Sequence, residues 1–163
     1  MAEIQDTKDI LESFQSVFSV VGRECVESLA QKSCEIREPW AVAQRLQGKF
    51  DHIFSLGNAN IRYQAIMAVG INTPAINSFF DLSTDGEDLL DAFGEIANQY
   101  CGLLMDQKQF ADNFGILTQS VPQYSVNQTF FPRVWGVEGR VYSGEEWIYI
   151  GYAIRPAFFS GAH

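Results

Sequence analysis

Hydrophobic residues recur every three or four positions over the first part of the chain, which is the spacing of one face of an α-helix. This pattern predicts one long helix from about Ile4 to Lys32. The segments 50–56 and 61–69 are instead rich in strand-forming residues, and the polar segment 57–60 between them predicts a turn. A short edge strand is expected around Trp40.

The second half of the chain follows the same order, with a helix before strands. Thr73-Pro74 favours a short helix that ends near Phe80, because proline is tolerated in the first turn of a helix. A longer helix is predicted from about Glu87 to Gln107, and side-chain oxygens in Ser83-Thr84-Asp85 are expected to cap it. Strands follow over three segments, the last two joined by a hairpin turn: 116–126, 133–142 and 146–155.

These elements predict an α/β (α+β) fold with two layers. Long helices are expected to pack on a largely antiparallel, six-stranded sheet, in a pseudo-doubled arrangement of helices followed by strands. The chain has 163 residues and is 47% hydrophobic, enough for one packed domain spanning residues 1–163.

The predicted helix over 87–107 has an unusual polar stripe. At about 100° per residue, four of its residues fall within about 60° of one another: Asp91, Glu95, Asn98 and Gly102. The opposite side is apolar, from Leu89 to Leu104. Glycine inside a helix costs about 1 kcal/mol relative to alanine. Gly94 and Gly102 border Glu95 and Asn98, which suggests that another molecule approaches the backbone there.

Each of these residues also has a simpler explanation. Glu95 is an ordinary surface residue for a helix, and Asp91 is explained by the favourable position of an acid near a helix N-terminus. Asn98 is less easily explained, because asparagine side chains compete for backbone hydrogen bonds inside helices. Gly94 and Gly102 could reflect close packing against the first helix, although their angular position favours the exposed side.

Composition narrows the classes of function. The chain has 20 acidic and 11 basic residues, a formal charge of −9, and no Lys/Arg cluster, which argues against nucleic-acid binding. The sequence contains no run of about 18 apolar residues, so no membrane span is predicted. The acidic segment 1–9 does not resemble a secretory signal, so a cytoplasmic location is expected.

Other candidate chemistry is weak. Cys25, Cys34 and Cys101 are odd in number and widely spaced, which favours buried reduced thiols over disulfides. His52 and His163 are the only histidines, so a site with three histidine ligands is excluded, and His52 is expected to be a strand residue with hydrogen-bonded ring nitrogens. Neither phosphate-binding glycine loops nor a nucleophile elbow occurs. No intrinsic cofactor or metal is expected.

The polar stripe resembles the signature of the CheC/CheX/FliY phosphatases. That signature is Asp or Ser, three residues, Glu, two residues, Asn, and a proline some twenty-odd residues later. Asp91, Glu95 and Asn98 match it, with Pro122 as the proline, and Gly94 and Gly102 resemble the CheX version. The chain departs from the family in two ways. Its proline lies one residue further along, and Leu103-Leu104-Met105 replaces Asn-Ala-Lys.

The resemblance implies a CheX-like fold, a homodimer and a phosphorylated CheY-like receiver domain as partner. It implies that Asn98 orients the attacking water and that Glu95 docks the partner by pairing with the receiver's active-site lysine. Asp91, Gly94 and Gly102 are expected to contact the partner, with Mg²⁺ carried by the receiver. Three alternatives stay open: a CheX-like module that binds or sequesters a receiver without hydrolysis, a structural dimer, and a small-ligand sensor with a coincidental motif.

Overall fold

The computed structural model describes residues 2–82 and 85–157. The helices are α1 (Ala2–Ser13), α2 (Gln15–Ala30), a 3₁₀ helix (Thr73–Ser78), α3 (Gly86–Met105) and α4 (Lys108–Phe114). The strands are β1 (Ala41–Ala43), β2 (His52–Ala59), β3 (Tyr63–Ile71), β4 (Thr118–Gln119), β5 (Gln123–Val126), β6 (Gly136–Ser143) and β7 (Glu146–Pro156).

All strands join one antiparallel sheet. Two hairpins, β2–β3 and β6–β7, meet in the middle of the sheet where β7 pairs with β3. The short strand β1 extends one side by pairing with β6, and both β4 and β5 pair with β2 on the other side. The two-layer, largely antiparallel α+β fold is confirmed.

The sheet has seven strands and not the expected six, because the strand predicted over 116–126 is divided. Both β4 and β5 pair with the same edge of β2, and residues 120–122 separate the two strands. Proline has no N–H to donate to a neighbouring strand. Ser120 keeps the edge attached, since its N–H donates to the carbonyl of Gly57 at 2.8 Å.

The turn between β2 and β3 lies later than predicted. Residues 57–59 belong to the strand, and the chain reverses at Asn60, whose side-chain oxygen accepts hydrogen bonds from the N–H groups of Arg62 and Tyr63, each at 2.8 Å. Asn58 is tolerated inside the strand because it is buried and its Oδ1 accepts a hydrogen bond from Tyr152 Oη at 2.9 Å.

The prediction of a single first helix is wrong. The helix breaks at Phe14, where φ is −140° and ψ is 32°. Immediately before the break, Ser13 Oγ donates to the carbonyl of Ile10, and side-chain bonds of this kind compete with the helical backbone. Phe14 is itself buried and stacks on Phe18 with ring centroids 5.4 Å apart. The apolar spacing therefore continues across a break in the backbone.

The helices cover one face of the sheet. Alternate residues of β7, such as Ile150 and Tyr152, belong to the main core with α1, α2 and α3. Tyr149 and Ala153 point to the other face, where loop residues such as Leu46 and Phe131 cover them in a smaller core. Among the described residues, no helix is long and apolar enough to cross a membrane.

The predictions for the cysteines and for His52 are confirmed. Cys25, Cys34 and Cys101 are buried free thiols. His52 lies in β2, and its two ring nitrogens contact Tyr124 Oη at 2.6 Å and Thr73 Oγ1 at 2.9 Å. His163 lies outside the described residues.

Candidate active site

Helix α3 begins as its sequence predicts. Asp85 is the N-cap, and its side chain accepts a hydrogen bond from the N–H of Glu87 at 3.0 Å. Glu87 and Asp88 place negative charge in the first turn, where the helix dipole favours it. The expected contributions of Ser83 and Thr84 lie outside the described residues. The apolar side anchors α3 through residues that are fully buried: Leu89, Phe93, Ile96, Ala97, Tyr100, Cys101 and Leu104.

The predicted polar stripe faces outward. Asp91, Glu95 and Gly102 are exposed, and Asn98 is half-buried at the edge of the stripe. Apart from the adjacent backbone of α3 itself, a Cβ built at Gly102 would meet no atom of the described chain within 4 Å. The surface above this turn of the helix is therefore open to a partner.

Gly94 is not on the exposed side, and this part of the prediction is wrong. It is buried, and a Cβ built there would lie 3.3 Å from Pro122 Cβ. The loop between β4 and β5 occupies the space that a side chain at position 94 would need. The lack of a side chain at Gly94 leaves room for a loop of the same chain, and Pro122 of that loop packs on α3, the motif helix that carries Asp91, Glu95 and Asn98.

A second contact joins this loop to α3. Gln119 Nε2 donates to the backbone oxygen of Asn98 at 3.2 Å. Between Gln119 and Pro122 the loop exposes Val121, whose side chain is 79% accessible. The loop therefore lies beside Asn98 and exposes the apolar side chain of Val121 to solvent.

The two central side chains of the stripe have different surroundings. Glu95 Oε1 accepts a hydrogen bond from Gln99 Nε2 at 3.1 Å, one turn along the exposed helix surface. Among the described residues, the only hydrogen bond from another side chain to Asn98 goes to its backbone oxygen. Its carboxamide is left available for a water molecule or a partner.

Buried polar contacts hold α3 on the rest of the fold. Tyr100 Oη donates to the carbonyl of Phe18 at 3.1 Å, and Cys25 Sγ donates to the carbonyl of Ile96 at 3.6 Å. Burial, with a smaller effect of Glu95, raises the pKa of Cys25 to about 12. Cys101 also has a pKa raised to about 12, mainly by burial. Both thiols are protonated at neutral pH and are poor nucleophiles.

The exposed side of α3 is negatively charged. The helix contains Glu87, Asp88, Asp91 and Glu95 and no lysine or arginine. Such a surface favours a partner with basic groups around its contact site. Within residues 2–82 and 85–157, no group of three or more His, Cys, Asp or Glu is placed to hold a metal ion.

Several residues of this surface were not predicted from the sequence. Gln99, Gln119 and Val121 belong to no motif, and Gln119 lies 21 positions from Asn98. The only sequence signal near the loop is Pro122, which the family signature includes.

No protein-family model matches the sequence, and no curated protein matches it. Solved structures do match. CheX from Vibrio vulnificus superposes with a TM-score of 0.65 at 11% identity, over 85% of this chain and 97% of that chain. The FliM middle domain from H. pylori gives 0.58 at 12% identity, over 91% of this chain and 92% of that chain.

A third match is a complex of CheX with CheY, BeF3 and Mg²⁺ from Borrelia burgdorferi, with a TM-score of 0.52 at 10% identity. It covers 87% of this chain and 97% of that chain. The chain has the CheX fold. At these identities the likeness establishes the fold alone, and a fold shared with CheX and with FliM does not by itself decide the activity.

Proposed function

We propose that this CheX-like protein is a phosphatase that binds a phosphorylated CheY-like receiver domain and hydrolyses its aspartyl phosphate. The observation that supports this most is that two side chains lie near each other in sequence on the outer side of α3. Glu95 is exposed, and among the described residues the carboxamide of Asn98 has no hydrogen-bond partner. The solved CheX–CheY complex supports a receiver as the partner, because it is formed by a protein of the same fold.

Asn98 suits the task of orienting water. Hydrolysis of an acyl phosphate needs a water molecule in line with the bond that breaks, and positioning and electrostatics supply most of the rate. The carboxamide oxygen of Asn98 accepts a hydrogen bond from that water, while its NH₂ group donates to a phosphoryl oxygen. A carboxylate at this position would repel the phosphoryl group.

Glu95 is proposed as the docking residue. It lies one turn before Gln99, whose amide restrains the carboxylate at 3.1 Å. Its charge pairs with the active-site lysine of the receiver, as the family resemblance implies. Asp91, one turn before Glu95, extends the negative surface toward the partner, and the open space over Gly102 admits the partner's loops.

The metal in this proposal belongs to the receiver. A Mg²⁺ ion bound to the receiver would neutralise charge on the phosphoryl oxygens. This chain then contributes one water-orienting amide, one docking carboxylate and the surface that brings them to the phosphorylated residue.

Phosphate release from a receiver charged with acetyl phosphate tests the proposal directly. We expect Asn98→Ala to lower the turnover rate about a hundredfold or more, as does removal of other positioned polar groups, with a small change in receiver affinity. Glu95→Ala should reduce turnover partly through weaker binding. Gln128→Ala is the matched control, because it removes an exposed carboxamide that lies outside α3 and outside the loop between β4 and β5, and it should keep the wild-type rate. Unchanged rates in both Asn98→Ala and Glu95→Ala would end the proposal.

A second candidate is a module that binds a receiver without hydrolysing its phosphate. The likeness to the FliM middle domain favours it, because the fold is not confined to CheX proteins. Receiver binding by the wild type, with a phosphate-release rate equal to that of the receiver alone, would establish this candidate. The homodimer and the cytoplasmic location stay predictions, and sedimentation of the purified protein checks the first.

A further inference from the structure

A cavity of about 240 Å³ lies away from the motif helix. It is bounded by Thr7 of α1, by the end of β7 and by the segment that precedes β6, and no residue of α3 lines it. The described residues that line it are Thr7, Gln44, Arg133, Val134, Trp135, Ile154, Arg155 and Pro156.

The charge of this cavity differs from that of the protein. The chain carries −9 overall, yet the described residues that line the cavity include two arginines and no acid. The ion pairs found among the described residues involve neither Arg133 nor Arg155. Arg155 Nη2 donates to the neutral Gln64 Oε1 at 3.2 Å. Among the described residues, neither guanidinium group has a carboxylate partner, and both lie at one cavity of an acidic protein.

Apart from the arginines, the described lining combines the polar Thr7 and Gln44 with an apolar part formed by Val134, Trp135, Ile154 and Pro156. Trp135 is half-buried, and its carbonyl accepts a hydrogen bond from the N–H of Ile154 at 3.0 Å, which ties the segment before β6 to β7. Lys8, which is ion-paired with Glu12, places its Nζ 5.4 Å from the centroid of the Trp135 ring. The indole of Trp135 therefore offers a flat apolar surface in the same cavity as the two arginines.

We propose that this cavity binds a small organic anion, a carboxylate or phosphate monoester with a flat apolar body. Guanidinium groups bind both head groups through paired hydrogen bonds, and the apolar body would pack on Trp135. The volume is below the roughly 300–1,000 Å³ of sites for drug-sized ligands, so the ligand is small. This binding is separate from the proposed phosphatase activity.

NMR titration of the ¹⁵N-labelled protein tests the proposal. Phenylacetate and phenyl phosphate are the two probes, and the tighter of them identifies the preferred head group. Inorganic phosphate supplies the charge without the apolar body, and benzyl alcohol supplies the body without the charge. We expect a saturable shift of the Trp135 indole resonance with a Kd of about 1 mM or tighter for at least one probe, and much weaker responses to the two fragments.

Variants separate the cavity from general electrostatics. Arg133→Gln and Arg155→Gln should each weaken binding of the probe about tenfold, since each removes a charged hydrogen-bond donor. Lys32→Gln removes an exposed positive charge outside the cavity and should leave the Kd unchanged, as should Asn98→Ala. The proposal is overturned if neither probe saturates, if a fragment binds as tightly as the probes, or if Lys32→Gln weakens binding as much as the arginine variants.

Discussion

Pro122 packs against Gly94, so the loop between β4 and β5 lies on the motif helix one turn before Asn98. A Cβ at Gly94 would be 3.3 Å from Pro122 Cβ and 3.3 Å from Leu90 Cδ1, whereas a Cβ at Gly102 would have no atom within 4 Å. The two glycines of α3 therefore have different surroundings, although they border the same polar pair. One admits a loop of its own chain, and the other leaves the surface open.

This difference predicts that alanine at position 102 stabilises the protein more than alanine at position 94. Gly102→Ala should raise the free energy of unfolding by about 1 kcal/mol, because alanine is the better helix residue and meets no neighbour. Gly94→Ala should not reach this gain, since Pro122 and Leu90 must move by a few tenths of an ångström to admit the methyl group. Urea unfolding of both variants measures this.

Gly102→Ala is also informative about the partner. If the receiver domain contacts the open surface above Gly102, Gly102→Ala should bind the receiver more weakly than the wild type does, although it is more stable. Equal receiver affinity of wild type and Gly102→Ala would show that the partner does not approach the backbone there.

Local signals in the sequence predicted α3 well but not its surroundings. The N-cap at Asp85 and the apolar spacing define the helix within a few residues, and the same spacing places Glu95 and Asp91 outward. The burial of Gly94 could not be predicted, because it depends on a loop 28 positions later in the chain. The break at Phe14 was missed for a related reason: the apolar spacing is unchanged where the backbone departs from helical geometry.

The negative surface of α3 predicts salt-dependent binding of the receiver. Its acids are not balanced by any basic residue of the helix, so association with a basic partner surface should weaken as ionic strength rises. Asp91→Asn should reduce both the association rate and its dependence on salt. Glu145→Gln removes an exposed charge from the β6–β7 turn and serves as the control. Stopped-flow association at several salt concentrations distinguishes them, and equal slopes for wild type and Asp91→Asn would contradict the expectation.

Val121 is predicted to contribute to receiver binding. It is 79% exposed at the tip of the loop that packs beside Asn98. Val121→Ser should leave the free energy of unfolding within about 0.5 kcal/mol of wild type, as for most surface substitutions, and should weaken the receiver complex. Ile61→Ser is the matched control, because Ile61 is 77% exposed at the β2–β3 turn. Isothermal titration with the receiver compares the two, and the prediction fails if both variants bind like wild type.

His52 predicts a pH dependence of stability. Burial lowers the pKa of its imidazole from the ordinary value of 6.5, and the nearby Asp51 opposes this only in part. The unfolded chain therefore binds a proton at a higher pH than the folded protein does. Stability is unaffected well above pH 6.5 and falls as the pH decreases through that value, because protonation favours the unfolded state.

The variant His52→Gln isolates this contribution, since the carboxylates and His163 are present in both proteins and their effects cancel in a difference. The free energy of unfolding of wild type minus that of the variant should be constant above about pH 7.5 and should decrease toward about pH 5, below the ordinary pKa of histidine. Replacing His52 also removes contacts with Tyr124 and Thr73, which offsets the difference at every pH without changing its slope. Urea unfolding across this range measures the difference, and a flat line would show that His52 titrates alike in the folded and unfolded states.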